Sequence, residues 1–279
     1  MTPRNINLGY MSMRHATLPE RAAAAAQAGF NGISLRADRW HDMRADGWDV
    51  PRVRALLDAH GLVVSEIEPM RFLRDELLDA VVEMVHGFQV PRVQVTPPID
   101  GTATPLDKVA PWLKNAAAAL PQTQLAIEFL PPTNVPDAAT AQRLIDMAGG
   151  APNLGLCVDS WHVFRGGGLA SLQGVDPARV FMVQIDDGKM QPKLQDYIQD
   201  CLLYRLPCGE GEFDLTAFMQ MLPESAPINV EVINEALDKR PPMEVAALLY
   251  KTTVSMLERC AQHRGHTELN QKPEKKWQI

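Results

Sequence analysis

A chain of 279 residues, 46% hydrophobic and 22% charged, has the length for one sizeable domain and the composition of an ordinary globular protein. No apolar run approaches the roughly 18–20 residues that span a bilayer, and the first residues lack the apolar core of a signal peptide, so a cytoplasmic protein with no membrane partner is expected. A net charge of −7 without a dense Lys/Arg stripe argues against nucleic acid as a partner, and Cys157, Cys201, Cys208 and Cys260 are too scattered for a disulfide framework or a zinc knuckle.

Strand-like and helix-like segments alternate along the chain. Residues 6–12 read as a first strand. The stretch Leu18–Ala28 is rich in alanine, the strongest helix former, and stops at Gly29. A second strand, Gly32–Arg36, precedes a helix at 50–60 closed by Gly61. The third strand covers 63–68 with Pro69 just beyond. A helix over Asp75–Phe88 follows, carrying Leu77, Leu78, Val81, Val82 and Val85 at helical spacing. Strand four is Arg92–Thr96, punctuated by Pro97-Pro98, and its helix covers 106–120. Strand five, 124–129, leads to a helix at 137–148 ended by Gly149-Gly150. Strands six to eight are Leu154–Asp159, Val180–Ile185 and residues 228–232. The crossover after strand six is weak, because Leu169–Leu172 supports only a brief turn. Helices at 213–222 and 242–260 complete the pattern. Residues 263–279 are polar and read as a tail, whose Trp277 and Ile279 are offered to a neighbouring copy in a homo-oligomer.

Eight strands, nearly all followed by helices, in the unbroken stretch 1–262 predict an α/β fold, a single (β/α)8 TIM barrel. The rival is an open doubly wound sheet. It would carry a glycine-rich turn after the first strand, and Gly9-Tyr10-Met11-Ser12 is not one. Gly166-Gly167-Gly168 follows strand six and reads as a flexible loop.

Four apolar runs end in an oxygen-bearing side chain: Glu128, Asp159, Gln184 and Glu231 close strands five, six, seven and eight. One such residue alone reads as a helix cap or an ion-pair partner. Four on consecutive barrel strands converge at one mouth, where packed carboxylates repel and a divalent cation relieves them.

The segments around these residues resemble the xylose-isomerase-like TIM-barrel superfamily of sugar phosphate isomerases and epimerases. The matching stretches are Ala126-Ile127-Glu128-Phe129, Val158-Asp159-Ser160-Trp161-His162, Val183-Gln184-Ile185-Asp186-Asp187, the run from Pro207 to Asp214 and Val230-Glu231-Val232. Gly29-Phe30-Asn31-Gly32-Ile33 and the strand from Val64 to Glu68 fit as well. The resemblance implies Glu128, Asp159 and Glu231 as metal ligands, with Gln184 where relatives usually carry His. Some lyases of the dehydroshikimate dehydratase type use Gln there. An all-oxygen set of Glu128, Asp159, Gln184 and Glu231 suits Mn²⁺ or Mg²⁺ better than Zn²⁺. In epimerases of this type the glutamates of strands five and eight also shuttle the proton, a catalytic role that falls to Glu128 and Glu231.

His162, three residues after Asp159, is the third catalytic candidate: it can donate to a substrate oxygen or hold a metal-bound water. The other histidines do not cluster on strand ends, which argues against the trinuclear zinc endonucleases of the same barrel. Arg205, Glu68 and Arg36 are substrate-binding candidates, Arg205 for its fork and the others for ending strands three and two. The run Asp186-Asp187-Gly188-Lys189 reads as a solvated turn. Trp40, Trp48 and Trp161 read as an apolar wall of the pocket or as packing.

Three functions follow. The first is a metal-dependent isomerase or epimerase that enolises a small sugar or polyol. The second is a lyase forming the same enolate and expelling a β-hydroxyl as water, as dehydroshikimate or keto-inositol dehydratases do. The third is a non-catalytic ligand-binding barrel.

Overall fold

Side chains along each strand alternate between two surroundings, and this alternation builds the molecule. In the computed structural model, which describes residues 4–270, Leu125 and Ile127 join the main apolar core between strands and helices. Ala126, between them, belongs to a separate small cluster with Cys157 and Met182 inside the barrel. Two residues beyond Ala126, Cys157 and Met182 stand Glu128, Asp159 and Gln184, on the same face and one step nearer the mouth.

The eight parallel strands are β1 (Ile6–Leu8), β2 (Gly32–Arg36), β3 (Val63–Arg71), β4 (Arg92–Thr96), β5 (Gln124–Glu128), β6 (Leu154–Asp159), β7 (Val180–Ile185) and β8 (Ile228–Val230). They pair in chain order, and β8 returns to β1 through Ile6↔Ile228, Asn7↔Asn229 and Leu8↔Val230. Closure leaves no exposed sheet edge. The protein is the (β/α)8 barrel expected from the alternating pattern.

The helices are α1 (Leu18–Ala28), α2 (Trp40–Ala45), α3 (Val50–Ala59), α4 (Asp75–Phe88), α5 (Leu106–Ala119), α6 (Ala138–Met147), α7 (Ser160–Arg165), α8 (Tyr197–Leu203), α9 (Leu215–Gln220) and α10 (Pro242–Asn270). Local chemistry sets the ends of α1. Thr17 and Glu20 form a reciprocal capping box, Pro19 sits in the first turn, and Gly29 adopts φ 105° to close it. No helix among the described residues is long and apolar enough to cross a membrane.

Several boundaries differ from the sequence expectation. β1 stops at Leu8 rather than residue 12, because the chain turns at Tyr10–Met13, where the Ser12 hydroxyl donates to the Val230 carbonyl and accepts from the Val232 amide. β3 runs through Pro69 to Arg71. Its pairing with β4 shifts register between Ile67 and Met70, where a residue without an N–H breaks no ladder bond. The Glu68–Pro69 bond there is cis. α10 continues to Asn270, past the expected end at residue 260. Trp277 and Ile279 lie outside the described residues. Trp40 packs edge-on against Phe88, Trp161 packs against Phe213, and Trp48 lies under the Arg52 guanidinium, so the tryptophans are packing residues and not a pocket wall. All four cysteines are buried and free.

Candidate functional site

Glu128 and Asp159 are the last residues of β5 and β6, Gln184 is the penultimate residue of β7, and Glu231 directly follows β8. All are buried, with Asp159 1% and Gln184 0% exposed, and Glu128 and Glu231 5% each. Glu68, Arg36, Glu128, His162, Arg205 and Glu231 line one cleft at the C-terminal mouth of the barrel.

Asp159 uses its two oxygens differently. Oδ1 accepts the Trp161 amide at 2.7 Å and caps α7, while Oδ2 faces the cleft side of the strand, 3.5 Å from His162 Nε2. His162 Nε2 is also 3.1 Å from Glu128 Oε1, and its Nδ1 bonds the Tyr197 hydroxyl. Donor atoms of Glu128, Asp159 and His162 all lie within 4.8 Å of one another.

Arg205 is deeply buried. Its Nη1 donates to Asp159 Oδ2 at 2.8 Å and to Asp186 Oδ2 at 2.7 Å, and stands 3.3 Å from Glu231 Oε2. The predicted fork for substrate is therefore engaged with the protein's own carboxylates. Asp186 is buried and accepts the Ser160 hydroxyl at 2.6 Å. Asp187, also buried, accepts the amides of Gly188, Gly209 and Phe213. The run expected as a solvated turn is solvated only at Lys189, which pairs with Glu212.

Gln184 Oε1 accepts from Gln94 Nε2 and from the Cys157 thiol, both at 3.1 Å. Its Nε2 is buried without a partner. The converging set also contains an imidazole nitrogen, unlike the all-oxygen set expected. Gln94, invisible as a candidate in the sequence, bridges Gln184 to Glu128 Oε2 at 3.2 Å. Glu68 Oε1 accepts from the Ser34 hydroxyl and the Tyr10 amide, while Oε2 has no partner. Arg36 grips Asp38 with two nitrogens at the rim. Arg71 lines the same cleft, and its guanidinium has no hydrogen-bond or ion-pair partner among the described residues. It was missed because β3 was expected to end before it.

Carboxylates outnumber buried cations here, and their proton affinities show it. Burial pushes Glu231 well above the ordinary carboxylate range, and Glu68, Glu128 and Asp159 push the same way against Arg205. Burial lifts Asp186 to about 7 despite Arg205, and Glu68 is raised chiefly by burial. Arg205 is held charged: burial opposes its charge, but Asp159 and its other partners outweigh that. The donors present and the surplus of negative charge fit a divalent cation.

A family model described as xylose isomerase-like TIM barrel matches residues 22–259. No curated protein matches the sequence. Among solved structures, a xylose isomerase-like TIM barrel/4-hydroxyphenylpyruvate dioxygenase fusion protein is similar with TM-score 0.82 and 19% identity, over 98% of this chain and 46% of that one. The chain thus spans about half the length of that protein. The IolI protein, solved with a bound zinc atom, has TM-score 0.80 and 19% identity, over 91% of this chain and 98% of that one. A probable 3-DHS dehydratase, AsbF, involved in petrobactin synthesis in Bacillus anthracis, has TM-score 0.73 and 14% identity, over 90% and 98%. At these identities the likeness is one of fold.

Proposed function

Because the chain belongs to the xylose isomerase-like TIM barrel family, we propose that it is a divalent-metal-dependent lyase acting on a small hydroxylated keto acid, from which it removes water. The observation that carries this reading is the charge layout of the cleft, with carboxylates at its floor and the unpaired Arg71 guanidinium at its rim. Glu128, Asp159 and Gln184 would hold the cation, and Mn²⁺ or Mg²⁺ is the expected metal. Such a cation polarises a carbonyl and acidifies the adjacent C–H.

The chain's residues do the rest. Glu231, whose proton affinity is raised by burial, takes the C–H proton and returns it to the departing hydroxyl. Water leaves and the carboxylate is regenerated, so no other reactant is required. Arg205, 3.3 Å away, keeps the Glu231 head group in place. His162 Nε2 faces the same space and contacts substrate oxygen. Arg71 binds the substrate carboxylate at the rim.

A sugar isomerase or epimerase is the second reading. It is favoured by Glu128 and Glu231 lining one cleft from different strands, as proton transfer on two faces of a carbon requires. Metal-free protein refilled with Mn²⁺ and incubated with cyclic hydroxy-keto acids should yield a conjugated, ultraviolet-absorbing product. Deuterium exchange into a neutral ketose without loss of water would instead establish the second reading.

A further inference from the structure

The cleft has two unlike walls. Along β5 to β8 its polar side chains are engaged within the protein, Glu128 with Gln94 and His162, and Glu231 with Arg205. Along β3 and the end of β4, three polar groups that line the cleft have no partner among the described residues. They are Glu68 Oε2, the Thr96 hydroxyl and the Arg71 guanidinium.

The strands bring these groups to one wall. Arg71 ends β3, Thr96 ends β4, and the two are paired in register. Thr96 stands two residues beyond Gln94, so it shares that residue's inward face one step nearer the mouth. In a regular strand Glu68 and Arg71, three apart, would point to opposite faces; the register shift between Ile67 and Met70 lets both line the cleft.

Glu68 is fixed through one oxygen only. Its Oε1 accepts the Ser34 hydroxyl at 2.7 Å and the Tyr10 amide at 3.1 Å, which leaves Oε2 over. Glu68 and Thr96 are both buried. A buried polar atom without a partner is unfavourable, and a ligand atom that supplies the missing bond is favoured there. The Arg71 guanidinium on the same wall disfavours a second cation, so the group that completes this wall is a neutral polar one carried by an anion.

We infer that the β3–β4 wall is a hydroxyl subsite, in which Glu68 Oε2 and the Thr96 hydroxyl hydrogen-bond hydroxyl groups of a substrate whose carboxylate lies on Arg71. This rests on the proposed function for the carboxylate and narrows its substrate class to acids with hydroxyls on the side turned away from the cation-holding residues. Oε2 bonds a hydroxyl as acceptor or, when protonated, as donor, so the recognition does not hang on the charge of Glu68. Glu68 and Thr96 are then specificity-determining residues. A molecule without those hydroxyls leaves both atoms buried and unpaired, a discrimination that apolar contact does not give.

Calorimetric titration of Mg²⁺-saturated protein with a vicinal cis-dihydroxycyclohexanecarboxylate and with cyclohexanecarboxylate tests this without turnover. The dihydroxy acid should bind about 10–100-fold more tightly. Thr96→Val keeps the shape and removes the hydroxyl, and Glu68→Met removes both carboxyl oxygens. Each should cut that ratio about 10-fold while the affinity for cyclohexanecarboxylate stays within about 2-fold. In Glu68→Met the Tyr10 amide keeps Ser34 Oγ as its acceptor, and a circular-dichroism melt checks that each variant is folded. Equal binding of the two acids, no binding of the dihydroxy acid, or an unchanged ratio in either folded variant overturns the inference. Failure of the lyase reading shows separately, as absence of a conjugated product from hydroxy-keto acids, and leaves the ratio in place.

Discussion

Arg205 is one nitrogen's width from three carboxylates of three different strand ends, and it is the only guanidinium among the described residues that reaches Asp159, Asp186 and Glu231 together. Replacing it by Met keeps much of the volume but leaves buried negative charge uncompensated. Arg205→Met should cost roughly 3–5 kcal/mol of stability in urea unfolding, and added Mn²⁺ should recover more of that loss than it adds to the unsubstituted protein. Arg71 is the opposite case, a cation with no partner to lose. Arg71→Ala should leave the unfolding midpoint within about 0.5 kcal/mol while raising KM for an acidic substrate about 10–100-fold, measured by initial rates. Glu128, Asp159 and Glu231 were legible in the sequence because each ends an apolar run. Arg71, Asp186 and Tyr197 were not. Their roles depend on a bulge that prolongs β3, on an Arg nineteen residues away in the chain, and on a helix of only seven residues.

Among the elements, the longer helices and the strands are set by local signals, and these were readable. The capping box at Thr17 and the apolar stripe of α4 are examples. The short helices α2, α7 and α8 are too brief to stand on propensity and form because tertiary partners hold them. Trp40 buries against Phe88 to seat α2, and Asp159 and Asp196 cap α7 and α8. β6 depends on a close approach. A Cβ on Gly155 would sit 2.5 Å from the Arg179 carbonyl oxygen and 2.5 Å from the Phe181 ring. Gly155→Ala should therefore destabilise the protein by about 1–3 kcal/mol, seen as a lower urea midpoint with an unchanged slope.

At the scale of the whole barrel, closure buries polar side chains in the strand interior beneath the cleft. Glu66 accepts from Asn229 Nδ2 across the barrel, and its carboxyl is pushed up to about 7, by burial first and the Glu68 charge second. The unfolded chain releases that proton near 4.5, whereas the folded chain keeps it until about pH 7. The contribution of Glu66 is therefore fully present below pH 4.5 and is lost as pH rises through 7. Glu66→Gln should flatten that decline, gaining about 3 kcal/mol over the unsubstituted protein at pH 8 and little at pH 4.5, by denaturant titration at both values.

The divided use of Asp159 has a mechanical side. Its capping oxygen holds the start of α7, and Arg165 at the end of α7 donates to the carbonyls of Lys189 and Met190. Asp200, in α8, accepts the amides of Lys193 and Leu194. Arg165 Nη2 also stands 3.4 Å from Asp200 Oδ2, so a cation drawn to the other oxygen of Asp159 should tighten a tether that runs through α7 to α8 and the loop at 189–194. Amide hydrogen exchange at Trp161, Lys193 and Leu194 should slow when diamagnetic Mg²⁺ is added to saturation to metal-free protein, and Arg165→Ala should confine the slowing to Trp161.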